Sequence, residues 1–212
     1  YSSQATGEET STAGTGITAI TSTGFTLGTE IAGVTYGSTN NGTYTYVAWQ
    51  WNAGGSSATN TSGSITSTVR ANTTAGFSVL TYSGTGAAAT VGHGLSAVPQ
   101  MIIVKCRDTA FSWRVYQVSV GNVNSTLLNS TAASSSLSSW NSTTPTSTVF
   151  SLGTDVGTNQ SGSTFVAYCF APIAGYSAFG SYTGNGSADG TFVFTGFRPA
   201  FVMVKASSTT SD

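Results

Sequence analysis

VPQMIIVKC at Val98–Cys106 and RPAFVMVKA at Arg198–Ala206 read as one strand written twice, 100 residues apart. Each run is almost continuously apolar between its proline and its lysine. That is the pattern of a central strand buried on both faces. Pro99 and Pro199 sit at the strand starts, where a missing N–H is tolerated. Lys105 and Lys205 close the runs, where an ammonium is expected to reach water.

The match extends upstream. AGFSVLTYSGTG (Ala75–Gly86) pairs with AGYSAFGSYTGNG (Ala174–Gly186), so Tyr82, Gly84 and Gly86 recur as Tyr182, Gly184 and Gly186. A second pair recurs at a different offset. GFTLGTE (Gly24–Glu30) matches VFSLGTD (Val149–Asp155), and TYVAWQW (Thr45–Trp51) matches TFVAYCF (Thr164–Phe170). Self-similarity of this kind is the signature of repeat architectures. The segments assemble into one phasing. Residues 76–170 are a complete repeat unit that includes the aromatic strand FSWRVYQV (Phe111–Val118). Residues 1–51 are the second half of a unit and 171–212 the first half of a further one. Residues 52–75 are a Gly/Ser/Thr-rich linker with one strand, Ser64–Arg70.

Composition agrees with an all-β chain. About a third of the residues are Ser or Thr, and 26 are Gly. Thr, Val, Tyr, Phe and Trp favour pleated, half-buried surfaces. No window carries a helical i, i+3, i+4 stripe. Charged residues are only 6%, yet aromatics reach 11% and hydrophobic residues 39%, enough to build a core. Disorder goes instead with few aromatics and high net charge. The fold expected is a set of tandem β-sandwich-like units, mostly antiparallel, with one complete unit flanked by two half units. Within TFVAYCF, the bulkier set Val166, Tyr168 and Phe170 is expected to face the core, with Phe165, Ala167 and Cys169 on the less buried face.

The same composition excludes several functions. Net charge is −1, and the six basic residues form no run, so nucleic acid is not an expected partner. No apolar stretch is long enough to span a membrane as a helix. Cys106 and Cys169 lack zinc-site spacing and read as a disulfide or as two buried thiols. His93, between glycines, reads as a turn or packing residue, and no triad assembles around it. The chain is expected to be no enzyme and to need no cofactor. Glu30 and Asp155 recur in the same place; they read as turn acids capping loop N–H groups, with calcium ligation as the rival.

At these motifs the sequence resembles a domain of unassigned function found in tandem in large tail-fibre-like virion proteins of marine and cyanobacterial tailed phages. The stretches that carry the resemblance are Val91–Tyr116, Thr144–Asp155, Ser161–Ala171 and, most specifically, Gly175–Lys205. The resemblance implies a fibre component on a virion or outside a cell, with no catalytic residues and with contact to host glycans in view.

Three functions are therefore in play. A half unit cannot hide its apolar face alone, so a structural fibre subunit that joins copies of itself head to tail comes first. A carbohydrate-binding attachment module comes second, with Trp113, Tyr116 and Trp140 as the rings to stack on a sugar and Trp140 the most exposed. A bacterial extracellular or pilus-like filament is the third. Asn41, Asn60, Asn72, Asn124, Asn129, Asn141, Asn159 and Asn185 head Asn-x-Ser/Thr sequons, which matter where the host glycosylates.

Overall fold

A computed structural model describes residues 5, 14–29 and 39–209 of the chain. The fold is nearly all β, with antiparallel strand pairing. It divides into two compact bodies, one within Glu8–Trp51 and one within Asn52–Asp212 together with Ala5.

The smaller body contains a hairpin. Strand β1 (Ile17–Ile20) pairs antiparallel with β2 (Phe25–Leu27). The turn between them is held by Thr21, whose N–H donates to the Gly24 carbonyl at 2.8 Å and whose hydroxyl accepts from the Gly24 N–H at 3.0 Å. Both strands are exposed along their length. Residues 44–51, which carry TYVAWQW, form no strand.

The larger body holds the remaining strands: β3 (Ala58–Asn60), β4 (Ser67–Asn72), β5 (Phe77–Ser83), β6 (Ala89–Gly92), β7 (Met101–Cys106), β8 (Arg114–Gln117), β9 (Asn124–Leu127), β10 (Ser135–Ser136), β11 (Val149–Leu152) and β12 (Thr164–Phe170), with one helical turn, α1 (Val156–Asn159). Eight of these make a single sheet in the order β10-β9-β8-β7-β12-β5-β4-β3. A two-stranded sheet, β11-β6, covers one face of it. The result is a sandwich with unequal layers. Residues 52–75 are no linker: they supply β3 and β4, the edge of the large sheet.

The core lies between the layers. Leu80, Tyr82, Ile102, Val104, Cys106, Phe165, Ala167 and Cys169 from the large sheet meet Val91, Phe150 and Leu152 from the small one, with Leu95 and Trp140 from loops. Tyr82 stacks on Phe165 (ring centroids 5.2 Å apart) and meets Phe150 edge-on at 6.3 Å. The face expected for β12 is therefore reversed. Phe165, Ala167 and Cys169 are fully buried, while Val166 and Tyr168 stay half-exposed. The reason is which face the second layer covers: Phe150, Leu152 and Val91 of the small sheet cluster with Phe165, Ala167 and Cys169, while on the other face Phe170 packs on Phe77 at 5.0 Å. Side-chain size alone does not tell which face is covered.

The second copies of these strands do not form. Residues 198–206 and 176–183 carry the apolar runs of β7 and β5 but are in no strand. Phe192, Phe194, Phe201, Val202, Met203 and Val204 are all exposed. In the large sheet β5 and β7 are not neighbours; β12 lies between them and bonds to both, whereas residues 176–183 and 198–206 belong to no such ladder.

Candidate assembly surface

The complete unit has first-half strands β5, β6 and β7 and second-half strands β11 and β12. The ladders among these five all cross between halves: β11 pairs with β6, and β12 with β5 and β7. Each half thus completes the other. The closure extends to the Tyr82–Gly86 turn. There Gly84 N–H donates to the Ser163 carbonyl at 2.8 Å and Gly86 N–H to the Asn159 carbonyl at 2.7 Å. Asn159, fully buried, gives its amide hydrogens to Ala87 O (2.7 Å) and Gly153 O (2.8 Å) and accepts from Thr85 N–H at 2.8 Å. A side chain on Gly84 would strike the Gln160 carbonyl and come within 2.9 Å of the Phe165 ring.

Parts of this arrangement recur at matching positions. Asn40 in TNNG corresponds to Asn159 in TNQSG, and it donates to Gly28 O at 2.8 Å, as Asn159 does to Gly153 O. A Cβ on Gly28 would collide with the Gly14 carbonyl, as one on Gly153 would with that of Ser138. Gly86 and Gly186 both take left-handed backbone, with φ +74° and +66°. Local conformation is thus alike where tertiary cover is not. Tyr82 is 4% exposed and donates its hydroxyl to Thr158 O at 2.6 Å, and burial pushes its phenol well up; Tyr182 is 51% exposed.

Polar side chains secure the complete unit. Arg114 on β8 holds Asp155 side-on, Nε to Oδ2 at 2.8 Å and a terminal nitrogen to Oδ1 at 3.3 Å, with both side chains largely buried. Ser139 donates to Asp155 Oδ2 at 2.6 Å, and Gly157 N–H to Oδ1 at 3.0 Å. Asp155 is thus the turn acid and N-cap of α1. Its oxygens serve a guanidinium and two protein donors, which leaves a calcium ion no place on them. Glu30 lies outside the described residues. Among the described residues, no three His, Cys, Asp or Glu gather as a metal site would require, and no helix is long and apolar enough to cross a membrane.

His93 is fully buried and packs in the core wall. Its Nε2 donates to Thr146 O at 3.1 Å, so Nδ1 is the unprotonated nitrogen that accepts from Leu95 N–H at 3.2 Å. Burial lowers its pKa below the ordinary 6.5. Lys105 departs from expectation. It is 5% exposed and folds its ammonium onto the carbonyls of Cys106 (2.7 Å), Ala5 (3.2 Å) and Thr109 (3.4 Å), and burial lowers its pKa. Carbonyls at the strand end, not water, satisfy it. Cys106 and Cys169 are free and buried, and burial pushes the Cys169 thiol up to about 12.

Two of the three aromatic residues expected to stack on sugars, Tyr116 and Trp140, are core residues instead. Trp140 and Tyr116 are each 2% exposed and meet edge-on at 5.8 Å. Serines around Trp140 suggest a surface loop, but that loop closes over the sheet. Trp113 is half-buried and stacks on Tyr168 at 6.5 Å. The Asn159 sequon is likewise closed to modification in the folded unit, because its amide is fully used inside. Asn41, Asn60, Asn72, Asn124 and Asn129 are half-buried; Asn141 and Asn185 are exposed.

These features define an all-β protein of antiparallel sheets. Over residues 1–212 the chain belongs to the family described as a domain of unknown function (DUF7483). No curated protein and no solved structure matches it.

Proposed function

We propose that the chain is a structural subunit of an extracellular or virion fibre, of the phage tail-fibre kind, in which copies join head to tail. The observation that carries this reading is the exposure of apolar segments whose sequence twins are the sheet centre. Val202 is 67% exposed and Val204 62%, while their twins Ile102 and Val104 are buried outright. Contiguous exposed apolar surface marks an interaction site. Covering one such side chain is worth about 1.5–3 kcal/mol, so a handful is comparable with the roughly 4–15 kcal/mol that association costs.

A contact between different apolar segments of two copies is heterologous, and a heterologous contact whose rotation does not close propagates into a filament. The same argument serves a virion fibre and a bacterial surface filament. The glycan-binding alternative has lost Tyr116 and Trp140 to the core, and nothing in the fold favours it. The test is sedimentation and electron microscopy of the purified full chain over a range of concentrations. Filaments or concentration-dependent oligomers are expected, and a monomer at every concentration overturns the proposal.

A further inference from the structure

We infer that Asn185 is a self-modification site. Its side-chain amide is lost to attack by the Gly186 nitrogen, which leaves aspartate and isoaspartate at that position, while Asn41 keeps its amide in the folded chain. The chemistry is independent of how copies associate.

Asn-Gly occurs at Asn41–Gly42 and at Asn185–Gly186. The dipeptide matters because the nitrogen after an asparagine must reach that asparagine's Cγ. A Cβ on the second residue stands in the way, and glycine admits backbone angles that other residues resist. In the reacting step the Gly186 nitrogen gives its proton to water or hydroxide and bonds to Asn185 Cγ. The Cγ–Nδ2 bond breaks, and Nδ2 leaves as ammonia. Water then opens the five-membered ring. Addition at Cγ gives aspartate, and addition at the main-chain carbonyl gives isoaspartate. One water enters for each ammonia lost, and nothing is oxidised or reduced.

The two copies of the Tyr-x-Gly-x-Gly turn show why position 185 is open to this. In the closed copy Thr85 precedes Gly86, and the Gly86 N–H is held by the Asn159 carbonyl at 2.7 Å. The Gly186 N–H makes no hydrogen bond among the described residues, and nothing lies within 4 Å of where a Cβ on it would be. Residues 181–190 are exposed throughout, so water and base reach the site. Asn185 Oδ1 accepts from the Ser187 N–H at 3.0 Å, an Asx turn whose hydrogen-bonded ring contains both Cγ and the Gly186 nitrogen. That bond also draws electrons from Cγ. Nδ2 donates to Asp189 O at 2.9 Å.

Asn41 also forms an Asx turn, with Oδ1 accepting from the Thr43 N–H at 2.9 Å and the Thr43 hydroxyl at 2.6 Å. Its main chain is pinned as well. The Asn41 N–H donates to the Tyr46 hydroxyl at 2.9 Å, and its carbonyl accepts from the Tyr44 N–H at 3.1 Å. Swinging Cγ onto the Gly42 nitrogen breaks those bonds. The main-chain N–H and carbonyl of Asn185 make no hydrogen bond among the described residues, so its backbone turns without that loss. Asn185 also heads a sequon, so a sugar on Nδ2 and departure of Nδ2 are rival fates of one amide.

The test stores the full folded chain in mildly alkaline buffer, with a second sample in urea. Both are digested in acid and mapped by mass spectrometry, with isoaspartate read by enzymatic methylation. In the folded chain Asn185 loses its amide several-fold faster than Asn41, and isoaspartate appears at position 185. In urea the two sites convert at similar rates, because the bonds that pin Asn41 are gone. Gly186→Ala slows the loss at Asn185 several-fold. The inference is overturned if Asn185 keeps its amide in the folded chain, if folded Asn41 converts as fast, or if Gly186→Ala converts like the wild type.

Discussion

Met101–Cys106 and residues 201–206 have the same length, the same alternation of aliphatic side chains and the same preceding proline. The first is the middle of an eight-stranded sheet, with Ile102 and Val104 sealed from water; the second forms no strand and leaves Val202 and Val204 in solvent. Intrinsic preference is thus equal in the two and decides nothing. What differs is the neighbour. β7 has β12 on one side and β8 on the other, and residues 201–206 lie in no ladder. β-propensity measures fit to a paired, half-covered surface, and the two segments are a controlled case of that rule inside one chain.

The sharpest way to break the comparison is to remove the same atoms from both. Ile102→Ala opens a cavity in a closed core and costs about 4 kcal/mol of unfolding free energy. Val202→Ala, at an exposed position, changes the stability of the dilute chain by less than about 0.5 kcal/mol. Urea unfolding of both variants decides it. Equal losses mean that residues 199–206 fold against a core within one molecule, and the contrast is gone.

The next effect in size tests what closes the complete unit. Arg114→Ala leaves the Asp155 carboxylate buried with only Ser139 and the α1 N–H as partners. Removing one member of a buried pair is the costly change, about 3 kcal/mol here, read as a lowered urea midpoint. Asp155→Asn with Arg114→Ala recovers part of that loss, because no unpaired charge remains. A loss confined to Arg114→Ala under 1 kcal/mol makes the pair a surface ornament and moves the closing force to the aromatic core.

Much of this was legible in the sequence, and the parts that were not have a common cause. The strands at Met101–Cys106 and Thr164–Phe170 and the turn at Tyr82–Gly86 follow from alternation, proline and glycine, which are local signals; that the two strands pair does not. The direction in which β12 faces is not legible, because Val166, Tyr168 and Phe170 are on the whole bulkier than Phe165, Ala167 and Cys169, while burial is set by which face β6 and β11 cover. Trp140 was misread because its serine-rich neighbours are polar, whereas its place over Tyr116 depends on contacts distant in sequence. Lys105 looks like a strand-end charge; the carbonyls of Ala5 and Thr109 that hold it are visible only in three dimensions. The likeness of residues 198–206 to 98–106 is legible in the sequence, but the exposure of Val202 and Val204 is not, because an apolar run is the same whether or not a neighbour covers it.

A smaller effect distinguishes the closed unit by pH. His93 is neutral in the fold, and burial holds its pKa below 6.5. Between that lowered value and 6.5 the unfolded chain binds a proton that the folded chain does not. Stability is therefore full above pH 6.5 and falls as pH drops through that window. The C-terminal segment has no histidine, so the effect belongs to the larger unit's core alone. His93→Gln flattens the dependence of melting temperature on pH between 7 and 5. A slope unchanged by the substitution assigns the acid sensitivity to other groups.

The smallest effect is chemical and compares one position in its two settings. Cys169 and Gln50 are twins in the strand match. The Cys169 thiol, buried and pushed up to about 12, is almost wholly protonated at pH 8, and only the thiolate attacks a thiol reagent. A Gln50→Cys thiol stands in solvent with an ordinary pKa near 8.5, so a substantial fraction of it is thiolate. In dilute solution the engineered site is expected to label at least a thousandfold faster than Cys169. Labelling of Gln50→Cys as slow as that of Cys169 means that residues 45–51 are covered, and the contrast between the two segments is gone.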